Sequence, residues 1–166
     1  MGYYDSIKDT AVRRAKLTPG MTDTDRICTL KKEAATDIRI LHMDDGLTRK
    51  GASRLANDIY GYVLAIAEIA RRDKGPMSRK GYLDTIPGLT KANLRSLGLE
   101  ATPQAGMDFM AAMAANALDM AVDGYQADPW QNIPKLDVTV HLENIIMYVK
   151  YMFQLHIWRI GGEPLP

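Results

Sequence analysis

The chain has 166 residues, of which 46% are hydrophobic and 25% are charged, and its formal net charge is +1. A chain of this length usually forms one domain with a sizeable core, so we expect a single domain over residues 1–166. No apolar run reaches the roughly 18 residues that a membrane span needs, and a lone cysteine, Cys28, excludes an intrachain disulfide. These features predict an intracellular soluble protein with no membrane partner.

The nearly neutral net charge conceals an asymmetry between the two halves of the chain. Residues 1–80 carry sixteen Lys and Arg against eleven Asp and Glu, whereas residues 81–166 carry five against nine. The two halves can face each other within one molecule, or the basic half of one copy can face the acidic half of the next. A protein that holds nucleic acid by bulk charge usually has a larger cationic surplus than this.

The first helical hairpin is predicted over residues 22–74. Its first helix begins at a capping box of Thr22 and Asp25, and its second helix follows a break at "MDDGLTRKG". Apolar residues recur at helical spacing, as Ile27, Leu30, Ala34, Ile38 and Leu41, and then as Leu55, Ile59, Val63, Ile66 and Ala70. Cys28 is predicted to be a buried or partly buried thiol.

A corner with a Pro-Gly turn is predicted over residues 76–101. The stretch "IPGLTKANLRSLGL", within residues 84–99, resembles a helix-hairpin-helix motif, a small DNA-binding unit. The resemblance implies that a phosphate is contacted by Gly88, Thr90, Lys91 and Arg95. Thr90 replaces the second glycine of that motif, and it can cap a helix but restricts close backbone approach. A purely structural corner is the other interpretation.

The second helical hairpin is predicted over residues 102–161. It begins at Thr102-Pro103, because Thr caps a helix well and Pro suits the first helical position. Its last helix is predicted from about residue 138 to residue 160, with "LDVTVHL" as a short extended lead-in. The main stripe of that helix contains Leu142, Ile145, Val149, Met152, Phe153, His156 and Ile160. Residues 161–166 are predicted to be an extended C-terminal arm.

The predicted fold is therefore all-α, a helical bundle built of two consecutive helical hairpins. Residues 21–40 lie on residues 101–120 when shifted by eighty positions, so that Thr22 meets Thr102 and Leu30 meets Met110. A diverged duplication explains these matches, and so does helical periodicity alone.

An oligomer interface is predicted from apolar and charged residues. A second stripe on the last helix, Met147, Tyr151, Leu155 and Trp158, predicts either a central helix or a helix shared with another protomer. The charge split predicts basic donors at Arg49, Arg54, Arg71 and Arg72, and acidic acceptors at Asp119, Asp123 and Asp128.

Recognisable catalytic and metal-binding motifs are missing from the sequence. It contains no phosphate-binding loop, nucleophile elbow or zinc spacing. His141 and His156 are fifteen residues apart, too far along one helix to share a metal, and His156 is interpreted as a satisfied core or interface residue. The prediction is a protein that is not an enzyme and that binds no metal or cofactor.

The opening "YYDSIKDTAVRRAKLTPGMTDTDRICTLKKEAATDIRIL" combines a short helix, a turn, an acidic cap and a long helix with small residues, and "YGYVLAIAEIARRD" follows. Over residues 3–75 this pattern resembles the head–tail connector (adaptor, or head-completion) proteins of tailed phages; residues 76–166 exceed that family's usual size. The resemblance implies a ring of helical protomers between portal and tail, with DNA passing through its centre.

From this resemblance we expect a structural assembly protein that forms a homo-oligomer and contacts other assembly proteins, with non-specific contact to DNA. Its location would be the host cytoplasm and then the virion. The alternative function is a DNA-binding accessory protein that uses the helix-hairpin-helix-like corner.

Overall fold

Six helices are present in the computed structural model, which describes residues 2–71, 88–99, 102–127 and 135–162. They are α1 (Tyr3–Ala15), α2 (Asp23–Met43), α3 (Arg49–Arg71), α4 (Lys91–Ser96), α5 (Pro103–Ala127) and α6 (Lys135–Arg159). No strand occurs within these described ranges. The predicted all-α class is confirmed.

Four of these helices form a bundle. α2 packs against α3, α3 against α6, α6 against α5, and α5 against α2. The pairs α2–α3 and α5–α6 are therefore the two predicted hairpins, and α3 and α5 lie diagonally across the bundle. α1 packs on the outside, chiefly against α3.

The core consists largely of the predicted apolar stripes. All five stripe residues of α2 are buried, and so are the stripe residues of α3 except Leu55. α5 contributes mainly methionine, alanine and leucine, and α6 contributes Leu142, Ile145, Ile146, Val149, Met152 and Leu155. Phe153 is only partly buried, and Ile160 is 39% exposed because it follows the last residue of α6 at the end of the bundle.

Both predicted hairpin starts carry a threonine cap. Thr22 Oγ1 accepts a hydrogen bond from the Asp25 N–H at 3.1 Å, and the Thr22 N–H donates to Asp25 Oδ2 at 3.4 Å, which completes the capping box. Thr102 Oγ1 accepts from the Ala105 N–H at 3.3 Å, and Pro103 is the first residue of α5. The shared caps agree with a duplication but also with independent helix starts, so the duplication stays a prediction.

Two local predictions are wrong. Residues 136–142, expected to be an extended lead-in, belong to α6, because the brief alternation of valines is outweighed by cooperative extension of a long helix. Cys28 is exposed, since one helical step of about 100° turns it away from the buried Ile27.

The backbones of α1 and α3 approach closely at Gly61. A Cβ atom on Gly61 would clash with the Ala11 methyl group and would lie 2.6 Å from the Ile7 carbonyl oxygen. Glycine is therefore needed at this position to seat α1 on the bundle.

A polar cluster at one end of the bundle joins α6 to the end of α2. His156 is fully buried; its Nε2–H donates to the Leu47 carbonyl at 2.8 Å, and its Nδ1 accepts from Arg159 at 2.8 Å. Arg159 also donates to the carbonyls of Leu41 at 3.0 Å and His42 at 2.8 Å, which have no partner within the helix ladder. The interpretation of His156 as a satisfied core residue is confirmed.

Candidate interaction site

A groove of about 980 Å³ lies between α1 and the first half of α3. Its α3 wall is formed by residues 49, 50, 53, 54, 57 and 58, which share one face at helical spacing, and α1 supplies the opposite wall. Ile7 of α1 and Phe153 of α6, both partly buried, contribute apolar surface to the lining. We call this feature the α1/α3 groove.

The α1/α3 groove is strongly cationic. Its lining contains Arg14, Arg49, Lys50 and Arg54, and Asp58 is the only carboxylate among the lining residues within the described ranges. Asp58 forms an ion pair with Arg14. Among the described residues, no carboxylate forms an ion pair with Arg49, Lys50 or Arg54, and all three side chains are exposed. The charge of the groove therefore suits an anionic group.

Three carboxylates, Glu33, Asp37 and Asp58, lie near one another, and Asp58 also lines the α1/α3 groove. Burial, and then the nearby charges of Asp58 and Glu33, raise the pKa of Asp37 to about 6, although Arg14 acts in the opposite direction. Burial also raises the pKa of Tyr62 to about 12, with a further contribution from the charge of Asp37. No group of three or more His, Cys, Asp or Glu side chains within the described ranges is arranged to hold a metal.

Sequence reasoning missed both the groove and this carboxylate group. Asp37 directly precedes the buried Ile38, and Asp58 directly precedes the buried Ile59. This position next to a core residue was the sign in the sequence that each carboxylate lies close to the core. Helical periodicity places a carboxylate beside the core, but it does not show which helix lies opposite.

The solvent side of α5 carries the opposite charge. Residues 103–127 include three aspartates and no Lys or Arg. Between residues 112 and 123 of this helix, the exposed residues are Ala112, Ala115, Asn116, Asp119, Met120 and Asp123. We call these six residues the acidic face; Asp119 and Asp123 lie near its centre, and Met120, which is 45% exposed, lies at one edge.

Two aspartates of α5 have basic partners within the chain. Asp108 lies 2.7 Å from His42 Nε2 and accepts from Gln104 at 2.8 Å, and these hydrogen bonds, that of His42 first, hold the pKa of Asp108 below its usual range. Asp119 forms an ion pair with Lys31 at 2.9 Å, yet its side chain is 62% exposed. Such an exposed pair is weak and can exchange partners.

One of the four residues of the predicted second stripe of α6 is turned fully into the bundle. Leu155 is fully buried and lies against α5, where a Cβ on Gly106 would lie 3.1 Å from its methyl carbons, so it is unavailable to a partner. Met147, Tyr151 and Trp158 are partly buried. α6 is apolar on two sides because it packs against both α3 and α5.

Of the predicted charged interface residues, the side chains of three lie outside the described part of the chain and those of four lie within it. Arg71 is the last residue of α3, and its side chain lies outside the described residues, as do Arg72 and Asp128. Arg49 and Arg54, by contrast, line the α1/α3 groove, and Asp119 and Asp123 lie on the acidic face.

The Pro-Gly corner is anchored to α6. The Leu89 N–H donates to Gln154 Oε1 at 2.6 Å, and a Cβ on Gly88 would lie 3.5 Å from the same amide group. Thr90 Oγ1 caps α4 by accepting from the Asn93 N–H at 3.1 Å. Leu89 and Leu94 are buried. The Leu89 N–H, which lies between the predicted phosphate contacts Gly88 and Thr90, is thus used within the chain.

The two cations of the corner differ in their surroundings. Lys91 Nζ lies 5.6 Å from the centre of the Trp158 ring, a cation–π distance that ties α4 to α6. Arg95 is exposed. Together with the Gln154 hydrogen bond, this arrangement favours the structural interpretation of the corner over the phosphate-binding one.

The chain matches no protein-family model, no curated protein and no solved structure. Among the described residues, none of the helices is both long and apolar enough to cross a membrane.

Proposed function

We propose that this protein is a non-enzymatic assembly subunit that associates head to tail with copies of itself. The observation that carries the proposal is the placement of opposite charge on opposite sides of one bundle. The α1/α3 groove is built on α3, the acidic face lies on α5, and these two helices are diagonal in the bundle.

Opposite charges on opposite sides favour one kind of contact between copies. A two-fold dimer brings the same surface of each copy together, and like charges then repel. A head-to-tail contact joins the basic side of one copy to the acidic side of the next, and repeated contacts close into a ring if the rotation permits. Charge selects the orientation, while apolar contacts must provide most of the affinity.

The specific form that we propose is a connector-type ring between the portal and tail of a tailed phage. It is supported by the sequence resemblance over residues 3–75 and by a bundle whose sides suit head-to-tail contacts. In that role the protein would contact other assembly proteins and encircle DNA, first in the host cytoplasm and then in the virion.

A DNA-binding accessory protein that uses the corner has less support. The Leu89 N–H is paired with Gln154, and Lys91 lies over Trp158, so fewer groups are available to a phosphate.

Light scattering across a range of protein concentrations and salt concentrations tests the proposal. We expect a mass that rises above the 18.5 kDa of one chain as concentration increases. Association should weaken with added salt, because the Debye length falls from about 10 Å at 0.1 M to about 3 Å at 1 M. A mass of one chain at every concentration, with or without portal and tail proteins, would exclude the assembly function.

A further inference from the structure

We infer that the acidic face of one copy docks in the α1/α3 groove of the next, with Asp119 and Asp123 against the cationic α3 wall and Met120 against the apolar part of the lining. This inference rests on the proposed function and names the two surfaces that would carry it. The occupant of the groove is thus a second copy of this chain.

The first step is the chemistry of the groove. Arg49, Lys50 and Arg54 are exposed along the α3 wall, while Ile7 and Phe153 offer partly exposed apolar surface elsewhere in the lining. A matching partner therefore presents carboxylates to the α3 wall and an apolar side chain beside them. A bare phosphate backbone would use the cations but would leave the apolar surface without a partner.

The second step is the shape and charge of the acidic face. Asp119 and Asp123 are one helical turn apart on α5, and Met120 lies beside them at the edge of the acidic face. Methionine is flexible and fits irregular apolar gaps, and Met120 is already 45% exposed. The exposed Ala112 and Ala115 have short side chains, which let the helix approach a groove closely.

The third step is the choice between a protein and a nucleic acid. The formal net charge of the chain is only +1, and the α1/α3 groove contains a carboxylate, Asp58. Proteins that bind nucleic acid through its phosphates usually carry a larger basic surplus. A second copy supplies both the carboxylates and the apolar group, so the observations favour it.

Two charge-reversed variants test the inference. The groove variant is Arg49→Glu with Arg54→Glu, and the face variant is Asp119→Lys with Asp123→Lys. Sedimentation velocity should show that each variant alone associates at least about tenfold more weakly than the wild type. An equimolar mixture of the two should recover association, because each variant then meets a partner of opposite charge.

Three controls accompany these measurements. Lys32→Glu with Arg39→Glu reverses two exposed cations of α2 outside the groove, and it should leave association unchanged. Met120→Ala should weaken association, whereas Met43→Ala, which removes an exposed methionine elsewhere, should not. Circular dichroism of each variant checks that the helices remain folded.

The outcomes separate the inference from the proposed function. Suppose that the wild type associates. If both reversed variants then associate as strongly as the wild type, or if their mixture fails to recover association, the docking inference is wrong and assembly uses other surfaces. If the wild type never associates, the proposed function itself fails. If the groove variant loses only the binding of a 20-base-pair DNA duplex, the groove is a nucleic-acid site and the inference is overturned.

Discussion

The Asp37 carboxyl group has an unusually high pKa in the folded protein. Its pKa of about 6 in the folded protein, caused mainly by burial, lies above the value of about 3.9 expected in the unfolded chain. The folded state therefore binds the proton more tightly than the unfolded state does. The resulting stabilisation is fully present below about pH 4 and is lost as pH rises through 6.

Asp37→Asn should remove this pH-dependent loss. Relative to the wild type, the free energy of unfolding of the variant should rise by about 1–2 kcal/mol between pH 4 and pH 7, a range reduced for partial exposure of the group. Urea denaturation of both proteins at the two pH values measures the difference. If Asp37→Asn changes the free energy of unfolding by the same amount at both pH values, then the ionisation of Asp37 does not destabilise the folded protein.

Arg159 illustrates what sequence reasoning could not find at this scale. In the sequence it is a polar interruption near the end of an apolar helix, yet its guanidinium group binds the carbonyls of Leu41 and His42, more than a hundred positions away in the chain. Which helix end lies within reach of a side chain depends on the packing of the whole bundle. By contrast, the Thr22 cap was predictable, because its partner is only three residues away.

At the scale of helices, the contact between α1 and α3 depends on the absence of a side chain. Gly61→Ala should destabilise the protein by roughly 1–3 kcal/mol through overpacking against Ala11 and the Ile7 carbonyl, even though alanine is the better helix former. Thermal denaturation should show a loss of about 2–4 °C for each kcal/mol in a chain of this size.

Gly51→Ala is the matched control for Gly61→Ala. Gly51 is also in α3, but a Cβ there would meet only side-chain atoms, at 3.3 Å from Thr48 Oγ1 and 3.7 Å from Leu47. This variant should be neutral or slightly stabilised. Equal melting temperatures for the wild type and Gly61→Ala would contradict the close approach of α1 to α3.

The positions of most helices were predictable from the sequence, but which helices pack against one another was not. Spacings of three and four identified the buried faces of α2 and α3, because a helix in water must bury one apolar face. For the second apolar side of α6, the same reasoning allowed either a central helix or a helix shared with another protomer. The packing of α6 against both α3 and α5 shows that Leu155 is buried within the bundle. Periodicity shows that a face is covered but does not identify the covering element.

For the molecule as a whole, the sequence revealed a charge asymmetry but not its geometry. The balance of +5 over residues 1–80 and −4 over residues 81–166 fitted either an internal or an intermolecular pairing. In the bundle some charges do pair internally, such as Lys31 with Asp119, while Arg49, Lys50 and Arg54 face away from α5. The α1/α3 groove combines α1, α3 and one residue of α6, so no single stretch of sequence could indicate it.

Native mass spectrometry of the wild-type protein at micromolar concentration and low ionic strength tests head-to-tail assembly most directly. A closed ring of heterologous contacts predicts one dominant species of three or more copies of the 18.5 kDa chain, and a shift toward single chains as ionic strength rises. A distribution that contains only single chains, or that stops at two copies, would contradict head-to-tail assembly.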